Sequence, residues 1–278
     1  SFISDDAEAG GGVMSRDLNL TAAGSAPDMD AVQRALLHLD LAVYAPLRGE
    51  LAGYSQFYGL DIEKDFPTLR HYMGWYEANG YRLAGHVFLP ETPKGTVFFL
   101  HGYLDHSGLY RHLIRECIER QHAVFIYDQP GHGLSSGPRA DIPQFDDYLQ
   151  VLKETLSQFS TELPAPFYAM GLSLGGGIVM DYLLSASAEG ETPAFRKALL
   201  LAPLVHPAQW WQIRFGYSLI RLFKRHIPRV FRQNSSDAAY LTFVRKDPLQ
   251  ARQVPMGWIG ALRHWVKRMQ AHPARSEE

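Results

Sequence analysis

A Gly-x-Ser-x-Gly motif between a strand pattern and a helix pattern is the feature that most constrains this chain. Residues 167–170 form an apolar run typical of a buried strand, and residues 178–184 are typical of a helix. Between them lies Gly171-Leu172-Ser173-Leu174-Gly175-Gly176, and this context is the one that a nucleophile elbow requires. The glycines leave room for a strained turn. We therefore predict that the Ser173 hydroxyl lies at the carboxyl edge of a sheet, before a helix N-terminus; the alternative is a glycine-rich turn without chemistry.

Continuous apolar runs that alternate with helical patterns predict the fold class. The predicted strands are residues 96–100, 123–127, 167–170 and 198–202, and the predicted helices between them include residues 109–121 and 144–160. Strands without polar alternation, each followed by a helix, imply a mostly parallel sheet with helices on both faces. Before them, residues 72–76 and 81–89 predict a hairpin around Asn79-Gly80. Two further helices are predicted outside this region, one over residues 29–48 with Asp28 or Asp30 as its cap and one over residues 249–270. The fold class is therefore α/β.

Composition excludes several classes of protein. The chain has 278 residues, 46% of them hydrophobic, and its net charge of -2 gives no electrostatic argument for nucleic acid as a partner. Its one cysteine, Cys117, excludes an internal disulfide and a cysteine-based zinc site. No metal cluster or nucleotide-binding loop is evident, so no cofactor is implied. No apolar run reaches about 18 residues, as a membrane-spanning helix would need. Because no signal peptide is evident, a cytoplasmic location is the expectation.

The segment after the first parallel strand, residues 101–110, is a candidate oxyanion loop. Acyl transfer builds negative charge on the carbonyl oxygen, and two backbone N–H groups can stabilise it. The residue after the nucleophile, Leu174, supplies one such group, and a loop after an earlier strand supplies the other, which makes Tyr103 the candidate. The alternative is an ordinary strand-to-helix loop. His101 and His106 are interpreted as residues that brace this loop rather than as acid–base catalysts.

The segment after the second parallel strand, residues 128–139, is rich in glycine and proline and predicts a fixed, irregular loop. His132 lies among its turn residues, whose side chains usually bond to the local backbone. We therefore assign His132 a structural role.

Three segments carry a family resemblance: residues 101–107, 128–137 and 171–176. In them the chain resembles α/β-hydrolases of the monoacylglycerol lipase, or lysophospholipase, group, in the branch also called serine aminopeptidase-like. The resemblance covers roughly residues 70–270. It implies Ser173 as the nucleophile, oxyanion donors at the backbone N–H groups of Tyr103 and Leu174, and cleavage of a lipid-type ester through an acyl-enzyme.

Residues 205–235 change in character, and in the resembled family this position holds a cap over the active site. Trp210, Trp211 and several aliphatic residues supply apolar surface, and no acidic residue interrupts the basic ones. The basic residues are Arg214, Arg221, Lys224, Arg225, Arg229 and Arg232. A basic, aromatic amphipathic helix suits an anionic membrane surface, which would make the protein peripheral to a membrane. The alternative is a cap helix whose apolar face packs on the core.

The acid and the base of a catalytic triad are not evident, and we leave both unassigned. The order on this fold is Ser, then Asp or Glu, then His, each at a later strand end. The remaining candidates are poorly placed in the sequence: Asp237, Asp247, His206, His264 and His272. The expectation is that the chain is a C-terminal truncation, or one piece, of a serine hydrolase and that alone it has little esterase activity.

We therefore divide the chain into five segments. Residues 1–28 are a flexible tail, of which 1–13 are candidate vector-derived residues, and residues 29–70 are a helical extension. The hydrolase core covers residues 71–204, the cap covers 205–248, and the truncated start of the C-terminal part of the core covers 249–278.

Two other functions stay open. A non-catalytic lipid-binding or scaffold protein would keep the fold without the triad. An aminopeptidase would need acidic residues in the cap to hold a substrate amine, and the cap is basic.

Overall fold

The computed structural model of the chain describes residues 25–205, 223–229 and 237–271. Most of the predicted tail, most of the predicted cap helix, and the two candidates His206 and His272 lie outside the described residues.

A six-stranded sheet forms the centre of the fold. Its strands are β1 (Arg70–Ala78), β2 (Tyr81–Leu89), β3 (Thr96–Leu100), β4 (Ala123–Tyr127), β5 (Phe167–Leu172) and β6 (Phe195–Leu201). The spatial order is β1-β2-β4-β3-β5-β6. The last four strands in this order, β4, β3, β5 and β6, are parallel, while β2 is antiparallel to both β1 and β4. Every residue of β3 and β4 is buried, which explains why their sequences lack polar alternation. The predicted α/β class is confirmed.

The hairpin between β1 and β2 turns where the sequence predicts it. Asn79 and Gly80 are the two turn residues, and both have positive φ angles, 48° and 74°. Such a pair matches the right-handed twist of the two strands, which is why Asn-Gly is favoured there.

In the part of the chain that the structure describes, seven α-helices surround the sheet. They are α1 (Met29–Ala35), α2 (Gly49–Tyr58), α3 (Arg111–Glu119), α4 (Asp146–Phe159), α5 (Leu174–Glu189), α6 (Ala238–Lys246) and α7 (Met256–Gln270) within the described residues, with short 3₁₀ turns at Ile62–Lys64 and Ser107–Tyr110. One hydrophobic core joins a face of the sheet to α4, α5 and α7, and a second joins the other face to α1, α2 and α3. Within the described ranges no helix is both long and apolar enough to cross a membrane.

The prediction of one helix over residues 29–48 is wrong. Asp28 caps α1 as expected, but the helix ends at Ala35. The chain then runs along the edge of the sheet, where Leu39 N donates to Trp75 O (2.7 Å) and Trp75 N donates to Leu37 O (2.8 Å). These bonds satisfy the open edge of β1, so tertiary pairing overrides the local helical pattern.

The helix predicted over residues 249–270 begins later than expected, at Met256. The residues before it form β8 (Gln253–Pro255), which pairs antiparallel with β7 (His226–Pro228). A hydrogen bond then joins α7 to α5, because Trp265 Nε1 donates to the carboxylate of Asp181 (2.8 Å).

Gly74→Ala is expected to destabilise the protein by about 1–3 kcal/mol, because overpacking displaces neighbouring groups. A Cβ atom built on Gly74 would lie 2.8 Å from Leu37 O and 2.9 Å from Leu39 N, and both are backbone atoms. The measurement is the free energy of unfolding in denaturant. The matched control is Gly53→Ala in α2, where a Cβ atom meets nothing within 4 Å and is expected to be neutral or stabilising. Equal stability of the two variants would contradict this account of the β1 edge.

Candidate active site

The turn between β5 and α5 holds Ser173 in a strained backbone conformation. Its φ is 50° and its ψ is -110°, outside the regions that L-residues normally adopt. Such strain persists only where the surroundings impose it, and it clusters at functional sites. The strand, the sharp turn and the helix predicted around Ser173 are therefore present.

Two glycines make this turn sterically possible. A Cβ atom built on Gly171 would lie 2.5 Å from the carbonyl oxygen of Gly175. One built on Gly175 would lie 2.0 Å from the carbonyl oxygen of Leu100, at the end of β3. Any larger residue at either position would push the turn away from the sheet.

Backbone hydrogen bonds fasten Ser173 between β5, β6 and α5. Its N–H donates to Leu201 O (2.9 Å), and its carbonyl oxygen accepts from Gly177 N (3.0 Å) and Leu204 N (2.8 Å). The side chain is half-buried, and α5 begins at the next residue, Leu174. The hydroxyl therefore lies beside the positive end of a helix dipole.

The loop after β3 lies beside this serine. A Cβ atom built on Gly102 would lie 3.6 Å from the Cβ of Ser173. The hydroxyl of Tyr110 accepts from Gly102 N (3.2 Å) and donates to Asp105 (2.7 Å), which holds the two ends of the turn together. Among the described residues, the N–H groups of Tyr103 and Leu174 have no backbone acceptor. Both are therefore free to donate to a ligand.

The side chain of Tyr103 is clamped on two sides. Its hydroxyl donates to Ala140 O (2.7 Å), and its ring stacks on that of Trp258 in α7, with centroids 3.6 Å apart and an interplanar angle of 12°. The sequence does not predict this contact, because no local sequence pattern links Trp258 to Tyr103.

Asp128 connects the loop after β4 to the loop after β3. This carboxylate is fully buried and accepts from the N–H and the hydroxyl of Ser107 (both 2.7 Å) and from Leu134 N (2.8 Å). Three donors compensate the cost of burying the charge.

His101 and His132 have the structural roles predicted for them. His101 accepts from Gln129 N through Nε2 (2.8 Å), and its Nδ1 lies 2.8 Å from Gly102 O. His132 Nδ1 lies 2.9 Å from Pro130 O. Burial lowers the pKa of each imidazole to about 3, so both are neutral braces at physiological pH.

His106 also braces the loop, through a partner that lies far away in the sequence. Its Nε2 is 2.7 Å from Oδ2 of Asp247, and neither side chain is exposed. Oδ1 of Asp247 accepts from the hydroxyl of Tyr58 (2.7 Å) and from Leu249 N (2.9 Å). Burial opposes both charges, but the interaction between the two groups outweighs it, so the pKa of His106 is raised and that of Asp247 is lowered.

The triad candidates that the structure describes do not meet Ser173. Asp247 is bound to His106, Asp237 caps α6 by accepting from Tyr240 N (3.0 Å), and His264 is exposed on α7. Among the described residues, none of these candidates forms a hydrogen bond with the Ser173 hydroxyl. Within the described residues there is also no group of three metal-ligating side chains.

A serine at a strained strand-to-helix turn, on the carboxyl edge of a mostly parallel sheet and beside a glycine-containing loop, is the arrangement of an α/β-hydrolase fold.

Comparison with known families agrees with this class. Residues 91–277, more than half of the chain, match the family model described as "Serine aminopeptidase, S33". The chain therefore belongs to this family.

Relatives and solved structures give a consistent fold. The chain is 31% identical over 105 residues to a monoacylglycerol lipase of Mycolicibacterium smegmatis (37% of this chain, 38% of the relative). It is 32% identical over 115 residues to the monoglyceride lipase of Homo sapiens (41% of this chain, 36% of the relative). The alignments thus span less than half of these curated relatives. The crystal structure of the Paleococcus ferrophilus monoacylglycerol lipase aligns with a TM-score of 0.55 at 20% identity, over 68% of this chain and 72% of that one. The crystal structure of a soluble variant of the Saccharomyces cerevisiae monoglyceride lipase aligns with a TM-score of 0.56 at 19% identity, over 70% of this chain and 68% of that one.

The His106–Asp247 pair is expected to stabilise the fold in a pH-dependent manner. The lowered pKa of Asp247 contributes stability above about pH 4, and this stability is lost as the pH falls through the pKa of Asp247 in the folded protein. The raised pKa of His106 contributes stability below about pH 6.5, and this stability is lost as the pH rises through the pKa of His106 in the folded protein. The coupling energy should therefore be greatest between these limits. Removing one partner should cost about 3–5 kcal/mol there.

The measurement is a double-mutant cycle with His106→Gln and Asp247→Asn, taken from the free energy of unfolding at pH 3, 5.5 and 9. A coupling energy that is the same at all three pH values would show that the pair does not titrate as described.

Proposed function

We propose that the protein is a serine hydrolase that cleaves carboxylic esters of lipid type, with monoacylglycerols or lysophospholipids as the substrate class. The observation that carries the proposal is the strained Ser173 beside the loop that begins at Gly102, together with the N–H groups of Tyr103 and Leu174, which have no backbone acceptor within the described ranges. The lipase names of the aligned relatives support an ester of a fatty acid as the substrate.

In the proposed reaction the Ser173 Oγ attacks the ester carbonyl carbon, and its proton passes to a general base. The carbonyl oxygen becomes an oxyanion that accepts from Tyr103 N and Leu174 N, and each such donor is worth about 3–4 kcal/mol in the transition state. The alcohol leaves with a proton, and water then cleaves the acyl-enzyme to release the fatty acid and regenerate Ser173. The general base is assigned to no described residue, because no hydrogen bond joins any of them to the Ser173 hydroxyl.

The alternatives have less support. A scaffold that only binds lipid does not require a strained serine, or a glycine such as Gly175, whose replacement would collide with the backbone of β3. An aminopeptidase needs a carboxylate to hold the substrate amine. The exposed residues of the predicted cap that the structure describes include Lys224 and Arg225, whose charge would repel that amine.

Incubation of the full-length protein with a fluorophosphonate is expected to add one phosphonyl group, because the reagent reacts only with an activated serine. Intact-mass spectrometry should show this single adduct on the parent and none on Ser173→Ala. Ser187→Ala is the matched control, since Ser187 is an exposed serine on the same helix, and it should keep the adduct. An unlabelled parent would favour the non-catalytic lipid-binding protein instead.

Contact with an anionic membrane through the cap is a second proposal. Phe223 is 81% exposed and is followed by the exposed Lys224 and Arg225, a combination that suits a headgroup surface. We expect the protein to sediment with vesicles that contain 30–40% phosphatidylserine (roughly the range that gives a strongly negative surface potential) and to do so less when Phe223 is changed to Ser. Equal sedimentation of the parent and the variant would contradict the proposal.

A further inference from the structure

The end of α2 lies directly against the candidate oxyanion loop, although α2 is outside the residues that match the family model. The ring of Tyr58, its last residue, meets the ring of His106 edge-on, with centroids 4.9 Å apart. A Cβ atom built on Gly108 would lie 2.8 Å from two carbon atoms of the Tyr58 ring. The helix and the loop therefore touch without space between them.

A hydrogen-bond chain strengthens this contact. The hydroxyl of Tyr58 donates to one oxygen of Asp247 (2.7 Å), and the other oxygen of Asp247 holds His106 (2.7 Å). Asp247 and His106 are fully buried, so no water replaces a missing donor easily. Without the Tyr58 hydroxyl, only Leu249 N would hold that oxygen among the described residues.

From His106 the loop leads back to the serine in a few bonded steps. Asp105, next to His106, donates its N–H to Gly102 O (3.2 Å), and the Tyr110 hydroxyl bridges Gly102 N and the Asp105 carboxylate. Gly102 is the residue that lies against Ser173 and precedes Tyr103. These bonds give a displacement of His106 a path to Gly102, the residue before Tyr103.

We propose that Tyr58 is a positioning residue: its hydroxyl, acting through Asp247 and His106, sets the position of the Tyr103 N–H relative to Ser173. This inference rests on the proposed function, because an oxyanion donor matters only if Ser173 reacts. Oxyanion donors act at 2.7–3.1 Å, so a small displacement of the loop reduces stabilisation of the transition state more than it reduces binding of the substrate.

The test compares Tyr58→Phe with Tyr76→Phe in the full-length protein. Tyr76 is the matched control because it is also a buried tyrosine whose hydroxyl bonds to a side chain, Thr155 (3.0 Å), in the core that faces α4. For Tyr58→Phe we expect kcat on a monoacylglycerol and the rate of fluorophosphonate labelling to fall about 3- to 10-fold with little change in KM, the effect of one lost hydrogen bond. For Tyr76→Phe both should stay within about twofold of the parent.

Amide hydrogen exchange over residues 101–110 supplies a readout that does not depend on activity. Exchange in this loop should be faster in Tyr58→Phe and unchanged in Tyr76→Phe. Equal labelling rates and equal exchange in the two variants would overturn the inference. If the parent is not labelled, the proposed function fails, and the exchange data alone then show whether Tyr58 holds the loop.

Discussion

The absence of side chains at Gly171 and Gly175 is the constraint on which the rest of the site depends. Ser173 occupies a strained conformation because its turn closes onto the backbone of β3, where Gly175 meets the Leu100 carbonyl. The same closeness brings the residues that follow Leu100 to the serine. Since β3 and β5 are parallel neighbours, the positions of Ser173 and of the loop beside it both follow from the strand order of the sheet.

Two buried carboxylates hold the loops around this turn. Asp128 binds Ser107 and Leu134, and thereby joins the loop after β4 to the loop after β3. Asp247 binds His106 and Tyr58, and thereby joins that same loop to α2 and to the segment that follows α6. Each carboxylate is costly to bury and is compensated by several donors, so each favours a single arrangement of its loop. The rigid loops that the proposed catalysis requires are thus held by ionisable groups other than Ser173.

Local chemistry made much of the fold predictable from the sequence. The apolar runs of β3 and β4, the Asn79-Gly80 turn and the glycines around Ser173 each determine a structure within a few residues. Features that depend on distant partners were not predictable. The first helix stops at Ala35 because residues 37–39 pair with Trp75. The sequence offers Asp247 only as a poorly placed triad acid, because its partner His106, whose Nε2 lies 2.7 Å away, is distant in the sequence. The same holds for Tyr58 and Trp258, whose partners lie on other elements.

A crystal structure of the full-length protein after reaction with a fluorophosphonate would test whether Ser173 is the nucleophile. We expect a phosphorus–Oγ bond at Ser173 and a phosphoryl oxygen about 2.7–3.1 Å from the nitrogens of both Tyr103 and Leu174. An adduct on another residue, or a phosphoryl oxygen that neither nitrogen reaches, would contradict this expectation.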